Sequence, residues 1–418
     1  MKVFKFGGAA VNNVERIQNL ATILQQYKDE KLIIIISAMG KTTNALEKVA
    51  EAFYAEKKEE ALQLFDVVKK QHLNTAKYLL VKNFNQCLSQ LMDFFTEVEW
   101  LLHDKPVREF DYYYDQIVCC GELLSTCIIS HYLNESGIKN NWLDVRDIIR
   151  SDNNFRDANI DWERTKTTID QLSFTSLNNI SITQGFIGAT DENESTTLGR
   201  EGSDYTAAVF ANIVNAESVT IWKDVEGVMN ADPKIFPDAQ LINELSYDEV
   251  IEMAYYGAQV IHPKTIKPLQ NKGIPLHVKC FTDPSAAGTI IHKKHNKNLP
   301  PIIVLKEQQA LIHLESRDYS FVGEKPMAML YEIFAQLRIK PNLIQTGAIH
   351  VQVCIDDYSD KVERLALAAD TIFDVQVEKG LSLLSIRHYN ETLVNKMLIN
   401  KEVMLMQQTN ETVQALFR

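Results

Sequence analysis

Four short stretches of this chain carry chemistry beyond what folding alone needs. The first is Lys5-Phe6-Gly7-Gly8. Two glycines after a strand let backbone N–H groups approach a phosphate, and a following helix directs its positive end to the same point. A lysine near the end of that strand can reach a transferring phosphoryl group. Such turns also occur wherever a helix entry needs space, so this stretch decides nothing by itself. The second is Ser37-Ala38-Met39-Gly40-Lys41-Thr42-Thr43. Its Gly-Lys-Thr invites a P-loop reading, but that pattern requires a glycine at position 35, where Ile35 stands inside an apolar strand. A short turn offering hydroxyls and N–H groups to a substrate remains open.

The third stretch runs from Thr196 to Tyr205, TTLGREGSDY. Hydroxyls, two glycines, the Arg200 guanidinium and the Asp204 carboxylate precede an apolar helical run. Arginine suits bidentate capture of a carboxylate, while Ser203 or Asp204 also suits a plain helix cap. The fourth, Trp222-Lys223-Asp224-Val225-Glu226-Gly227 through Asp232-Pro233-Lys234, is a strand end followed by a polar loop. Ligands of open α/β sheets bind at such places.

The whole chain opposes anions: 43 Lys and Arg against 55 Asp and Glu give a net charge of −12 over 418 residues. That balance disfavours nucleic acid or an anionic membrane as partner. A phosphate-binding reading therefore needs local cations, and Lys5, Arg200, Lys223 and Lys234 supply them. The six cysteines show no metal spacing or disulfide framework, which suits buried thiols in a reducing cytoplasm. The chain start is strand-like and has no signal-peptide pattern, and the strongest apolar run, Leu32 to Ile36, is too short to cross a bilayer.

Elements that could position these groups alternate between strand and helix, the rhythm of a parallel sheet with crossover helices. Strands are expected at Val3 to Phe6, Leu32 to Ser37, Ile180 to Gln184, Ser218 to Trp222 and Pro275 to Lys279. A helix capped by Asn12 should bury Val14, Ile17, Leu20, Ala21 and Leu24. Asn44 to His103 reads as helical, as do Asp204 to Val214 and Tyr247 to Tyr256. The basic, proline-ended segment from His292 to Pro301 reads as a linker, with His292 and His295 solvated and His262 structural. Beyond it come strands near Ala310 to Leu314, Ala348 to Ile355, Val375 to Val377 and Leu381 to Ile386. Helices at Pro326 to Arg338 and Asp360 to Ala369 complete a βαββαβ-like order that begins again near the end.

Together the motifs resemble the aspartate kinases of the amino-acid kinase superfamily. The resemblance rests on KFGG at 5–8, SAMGKTTNAL at 37–46, GELLST at 121–126, DVR at 144–146 and TQGFIG at 183–188. TTLGREGSDYTAA at 196–208, WKDVEGVMNADPK at 222–234 and GAQVIHPKT at 257–265 extend it. It implies an α/β fold: an amino-acid kinase domain with a mostly parallel sheet over residues 1–292, and ferredoxin-like ACT units over 302–418, the second shortened. The implied reaction is phosphorylation of the side-chain carboxylate of L-aspartate by ATP with Mg²⁺. Lys5 would stabilise the transferring charge and Asp204 would orient it. Arg200 would hold the substrate α-carboxylate and Glu122 its ammonium, with Thr43, Phe186 and Ser203 completing the pocket. Gly7, Gly8, Ser37, Lys223, Asp224, Met229, Asp232, Lys234 and Gln259 would line the nucleotide site, and no protein metal ligand is assigned. A cytoplasmic homodimer with an amino-acid effector at the ACT region is expected, without a fused dehydrogenase. Ala9-Ala10, Met229, Lys234 and Gln259 depart from the family pattern. The alternatives are another amino-acid kinase relative or a non-catalytic sensor with a decayed kinase domain. Asn342, where lysine-sensing relatives often carry aspartate, implies weak inhibition by lysine alone.

Overall fold

The computed structural model describes residues 1–172, 179–258, 261–296 and 298–418. Gln259 therefore lies outside the described residues. Contacts divide the chain into two compact units: Met1–Val228 with Leu241–Ile251 and Val260–Asn296, and Met229–Gln240 with Glu252–Gln259 and Lys297–Arg418.

The first unit is built on an eight-stranded sheet. Its order is Glu244–Ser246, Thr289–His292, Leu276–Cys280, Ser218–Lys223, Lys2–Phe6, Leu32–Ile36, Ile180–Gln184, Asn140–Leu143. All neighbours are parallel except Leu276–Cys280 with Thr289–His292. Leu32–Ile36 is buried along its length, as a central parallel strand covered on both faces must be. Lys2–Phe6 lies between that strand and Ser218–Lys223, with Lys5 paired to Ile35 and Ile221. The Lys5 side chain thus projects from the middle of the sheet near the carboxyl ends of three parallel strands.

The first long helix, Val14–Gln25, buries Ile17, Leu20, Ala21 and Leu24 as its periodicity predicts, and Ile23 besides, whereas Val14 at its first position is only half-buried. Its cap is Asn13, not Asn12: the Asn13 side chain accepts the Arg16 N–H at 2.9 Å. A 3₁₀ turn, Gly8–Val11, displaces the helix start by one residue. Thr42–Tyr54, Lys58–Leu79 and Phe84–His103 form the expected helical stretch. Among the described residues one helical stretch, Phe110–Glu135, is long and apolar enough to cross a bilayer. Its most apolar window is 83% buried within the fold, as a core helix would be.

All six cysteines are buried. Cys87 and Cys127 meet across two helices with their sulfurs 3.9 Å apart. Ligand atoms of Cys87, Cys127 and His131 lie within 4.8 Å of one another, a convergence that sequence spacing does not show. His292 departs from the solvated reading. It ends the Thr289–His292 strand, has 17% of its side chain exposed, and pairs with Glu244 at 2.6 Å.

The second unit carries a six-stranded antiparallel sheet ordered Leu343–Thr346, His350–Asp356, Ile302–Ser316, Phe373–Arg387, Thr412–Phe417, Val403–Gln408. Two of its strands, Ile302–Ser316 and Phe373–Arg387, each run 15 residues. Helices Glu324–Gln336 and Ser359–Ala369 bury Leu330, Phe334, Val362 and Leu365 against one part of the sheet. The short helix Glu391–Leu398 contributes Val394 to a separate cluster with Leu384, Ile386 and Val413.

Candidate active site

A cavity of about 550 Å³ opens at the carboxyl ends of the first unit's central strands. Its walls include Lys5, Gly8, Ser37, Thr43, Glu122, Phe186, Arg200, Ser203, Asp204 and Lys223. These come from six of the segments singled out above, from position 5 to position 223. Gly7, Asp224, Met229, Asp232 and Lys234 are not among its lining residues.

Its floor is the Lys5–Asp204 ion pair, Nζ to Oδ1 at 2.6 Å, with 11% and 4% of the two side chains exposed. The second Asp204 oxygen lies 4.0 Å from Lys223 Nζ. Burial pushes the Asp204 carboxyl up, but the charges of Lys5 and Lys223 outweigh it and hold the group below its ordinary range. Asp204 therefore stays ionised and anchors a lysine; it is poorly suited to be a base. It does not cap its helix either. Glu201, in a left-handed conformation with φ +53°, is the N-cap residue of Gly202–Ile213 and makes no side-chain cap bond. Ser203 and Asp204 sit in the helix's first turn, with Ser203 Oγ accepting from Ser37 Oγ at 3.0 Å.

Two loops close around that floor. Phe6 O accepts the Ser37 N–H at 3.1 Å and Gly8 O the Gly40 N–H at 3.0 Å, so the two strand ends are laced together. A Cβ on Gly8 would stand 2.7 Å from Ala38 O, which makes glycine obligatory there. Phe186 has φ +73°, held by its N–H donated to Thr206 Oγ1 at 3.0 Å and its carbonyl accepting from Leu198 N at 2.8 Å.

Glu122 is the chemical anomaly. It enters from the first turn of Cys120–Glu135, is 2% exposed, and accepts one long bond, 3.3 Å, from the Ala38 N–H. Among the described residues its Oε2 has no hydrogen-bond partner. Burial raises its pKa to about 8, only partly opposed by the Ala38 N–H. A buried carboxylate oxygen without a donor is costly, and one facing a cavity is commonly satisfied by a ligand.

Two further wall residues, Tyr114 and Arg156, lie outside the sequence motifs, and a third, Glu201, lies within TTLGREGSDY but has no role assigned from sequence. Glu201 accepts the His262 N–H at 2.8 Å, and His262 Nδ1 accepts the Lys264 N–H at 3.1 Å, capping Pro263–Lys272. His262 is thus structural. Asp232 accepts the Lys234 N–H at 2.9 Å within its own exposed turn.

The amino acid kinase family matches residues 1–280. Lysine-sensitive aspartokinase 3 of Escherichia coli (strain K12) is 30% identical over 393 residues, covering 92% of this chain and 86% of that protein. The chain belongs to the amino acid kinase family and, within it, to the aspartokinases. Aspartokinase 2, chloroplastic, of Arabidopsis thaliana is 31% identical over 373 residues, 85% of this chain. The chain spans about two thirds of that relative's length, 66%. The crystal structure of E. coli aspartokinase III in complex with aspartate and ADP superposes with a TM-score of 0.83 at 26% identity, covering 100% of this chain and 96% of that one. The same enzyme with lysine and aspartate gives 0.81 at 27% identity.

In this aspartokinase's second unit, Asn342 is fully engaged. Its carbonyl accepts from Lys306 Nζ at 2.8 Å, and its amide donates to Gln309 Oε1 at 2.7 Å and Asp356 Oδ1 at 2.8 Å. Burial raises the Asp356 carboxyl, but amide donors and Lys306 together hold it below its ordinary range.

Proposed function

We propose that this chain transfers the γ-phosphoryl group of ATP to the side-chain carboxylate of L-aspartate, yielding ADP and 4-phospho-L-aspartate. The observation that carries the reading is Glu122: a buried, partner-poor carboxylate in the same cavity as the Arg200 guanidinium and the Lys5–Asp204 pair. An α-amino acid presents an ammonium and a carboxylate a fixed distance apart, the complement of Glu122 and Arg200. The side-chain carboxylate is then the remaining free group. It is ionised at neutral pH, so no base is needed and catalysis consists of positioning and charge stabilisation.

One carboxylate oxygen attacks the γ-phosphorus, the bond to the β,γ-bridging oxygen breaks, and ADP leaves with that bond's electron pair. Negative charge on the moving phosphoryl is met by Lys5, which Asp204 holds at the strand end, and by Lys223. Mg²⁺ enters as the counter-ion of the ATP substrate. The cavity's carboxylates are Glu122, Glu201 and Asp204, and Asp204 is engaged by lysines while Glu201 accepts from His262, so the ATP phosphates would have to supply most of the ion's ligands. Asp224, Met229, Asp232, Lys234 and Gln259 are proposed for the adenosine end of the nucleotide, with residues 1–292 as the catalytic domain. Residues 302–418 are proposed as an ACT-type regulatory region in a cytoplasmic homodimer.

Trapping the acyl phosphate as a hydroxamate with L-aspartate, D-aspartate and L-glutamate, and following ADP release with a nucleoside monophosphate as acceptor, tests the reading. Turnover confined to L-aspartate supports it, and equal turnover of glutamate refutes it.

A further inference from the structure

Arg156 lies on the cavity wall but in none of the motifs that point to the reaction. It has φ +70°, a left-handed backbone that a non-glycine residue adopts only when its surroundings impose it. What imposes it is Asp115, a carboxylate with no solvent exposure. Asp115 Oδ2 accepts the Arg156 N–H at 3.0 Å and the Thr197 N–H at 2.8 Å, while Oδ1 accepts from Thr197 Oγ1 at 2.7 Å. One buried carboxylate thus binds the Arg156 turn to the strand that leads into Gly199-Arg200. Ala158 N donates to Thr197 O at 3.0 Å and reinforces the join. Gly199, at φ +74°, lies so close that a Cβ there would stand 2.4 Å from Asp157 Oδ1 and 3.4 Å from Arg156 O. The turn bearing Arg156 therefore abuts the residue next to Arg200.

Among the described residues the guanidinium's partners are replaceable, the Phe110 ring at 5.7 Å being the most distant. It stacks over Tyr114 at 4.3 Å and touches Asp111 at 3.3 Å and Glu47 at 3.4 Å, with 42% of its side chain exposed. Exposed pairs of that length contribute little and exchange readily. Tyr114, also on the cavity wall, gives the guanidinium a flat platform from which to face a planar carboxylate.

We infer that Arg156 is a second specificity-determining guanidinium, sharing the substrate α-carboxylate with Arg200. The inference rests on the aspartate reading above. Two guanidiniums at one carboxylate tie the α-group firmly and leave the side-chain carboxylate as the one free to attack.

The test is steady-state kinetics of the full-length Arg156→Gly variant, because glycine is the residue the left-handed backbone favours and the turn is kept. KM for L-aspartate should rise about tenfold, the effect of losing a partly solvated charge-assisted contact, with kcat and KM for ATP nearly unchanged. Arg156→Lys should recover part of the loss. The α-amide of L-aspartate, which lacks the α-carboxylate charge, should be discriminated against more strongly by wild type than by Arg156→Gly. Unchanged KM for aspartate, a rise in KM for ATP instead, or equal discrimination against the amide would each overturn the assignment. A wild-type protein that turns over no aspartate sinks the substrate reading itself; an active wild type with an indifferent Arg156→Gly sinks only this inference.

Discussion

Replacing Glu122 by glutamine should move function and stability in opposite directions. Glutamine has nearly the same shape and can still accept the Ala38 N–H, so the change removes charge and little else. For the substrate ammonium it removes a buried counter-charge. We set that loss at about 3 kcal/mol, or roughly a hundredfold in KM for aspartate. For the empty protein the sign reverses. The carboxyl titrates near 4.5 when unfolded and near 8 when folded, because burial disfavours the anion. Below pH 4.5 both states hold the proton and Glu122 is neutral to stability. As pH rises toward 8 the unfolded chain ionises while the folded one does not, so the native state is progressively penalised. The full difference would be about 5 kcal/mol, and water in the open cavity reduces it to about 2. The variant should therefore melt several degrees above wild type at pH 8, with the gap shrinking toward pH 5. Aspartate binding should also draw a proton off wild-type Glu122, so its KM should fall between pH 6 and pH 8 by up to about tenfold per unit. Melting curves at two pH values and KM against pH read both effects. An aspartate KM untouched by the substitution and flat with pH would refute the role given to Glu122.

Lys5→Ala should lower kcat by roughly a hundredfold to a thousandfold with little change in KM for ATP, because its charge matters most in the transition state; near-normal turnover in a hydroxamate assay removes Lys5 from the mechanism. Arg200→Lys keeps the charge but loses the planar fork, and should raise KM for aspartate far more than for ATP; equal effects on both substrates would displace Arg200 from the α-carboxylate. Lysine alone should inhibit weakly, because Asn342 is an amide already occupied by Lys306, Gln309 and Asp356. Titration of activity with lysine, threonine and both together checks this, and submillimolar inhibition by lysine alone would contradict it.

The central strands were legible because their signals are local. Leu32–Ile36 is an unbroken apolar run, and the buried face of Val14–Gln25 follows from period alone. Cavity residues within distinctive motifs, such as Glu122 in GELLST and Arg200 in TTLGR, were found by resemblance. Arg156 and Tyr114 lie outside those motifs, and what places them is Asp115, which bonds residues 41 and 82 positions away. No periodicity reports such a contact. A polar residue inside the apolar helical run Phe110–Val118 was the available signal for Asp115. Failures elsewhere were equally physical. Val375 to Val377 and Leu381 to Ile386 read as two strands because Gly380, at φ +71°, interrupts the pattern, yet Phe373–Arg387 runs through it. His292 read as linker because its neighbours are basic and polar, whereas its partner Glu244 is 48 residues earlier.

How an acidic protein offers a site to a polyanion follows from where its charges are. The net charge of −12 is a property of the whole surface, whereas the cavity gathers Lys5, Arg156, Arg200 and Lys223 against Glu122, Glu201 and Asp204. Within a Debye length of about 8 Å the local set dominates a phosphate's energy. The three carboxylates do not cancel that set. Asp204 orients a lysine, Glu201 is turned to His262, and Glu122 at neutral pH largely keeps its proton until a cation arrives. The empty site is therefore more positive than its formal charges suggest. On the proposed reading it returns toward balance when the substrate brings an ammonium to Glu122 and a carboxylate to the guanidiniums. On the proposed reading a destabilising buried carboxyl is tolerated because its unmet oxygen receives the substrate ammonium, and satisfying it within the protein would stabilise the fold by closing the site.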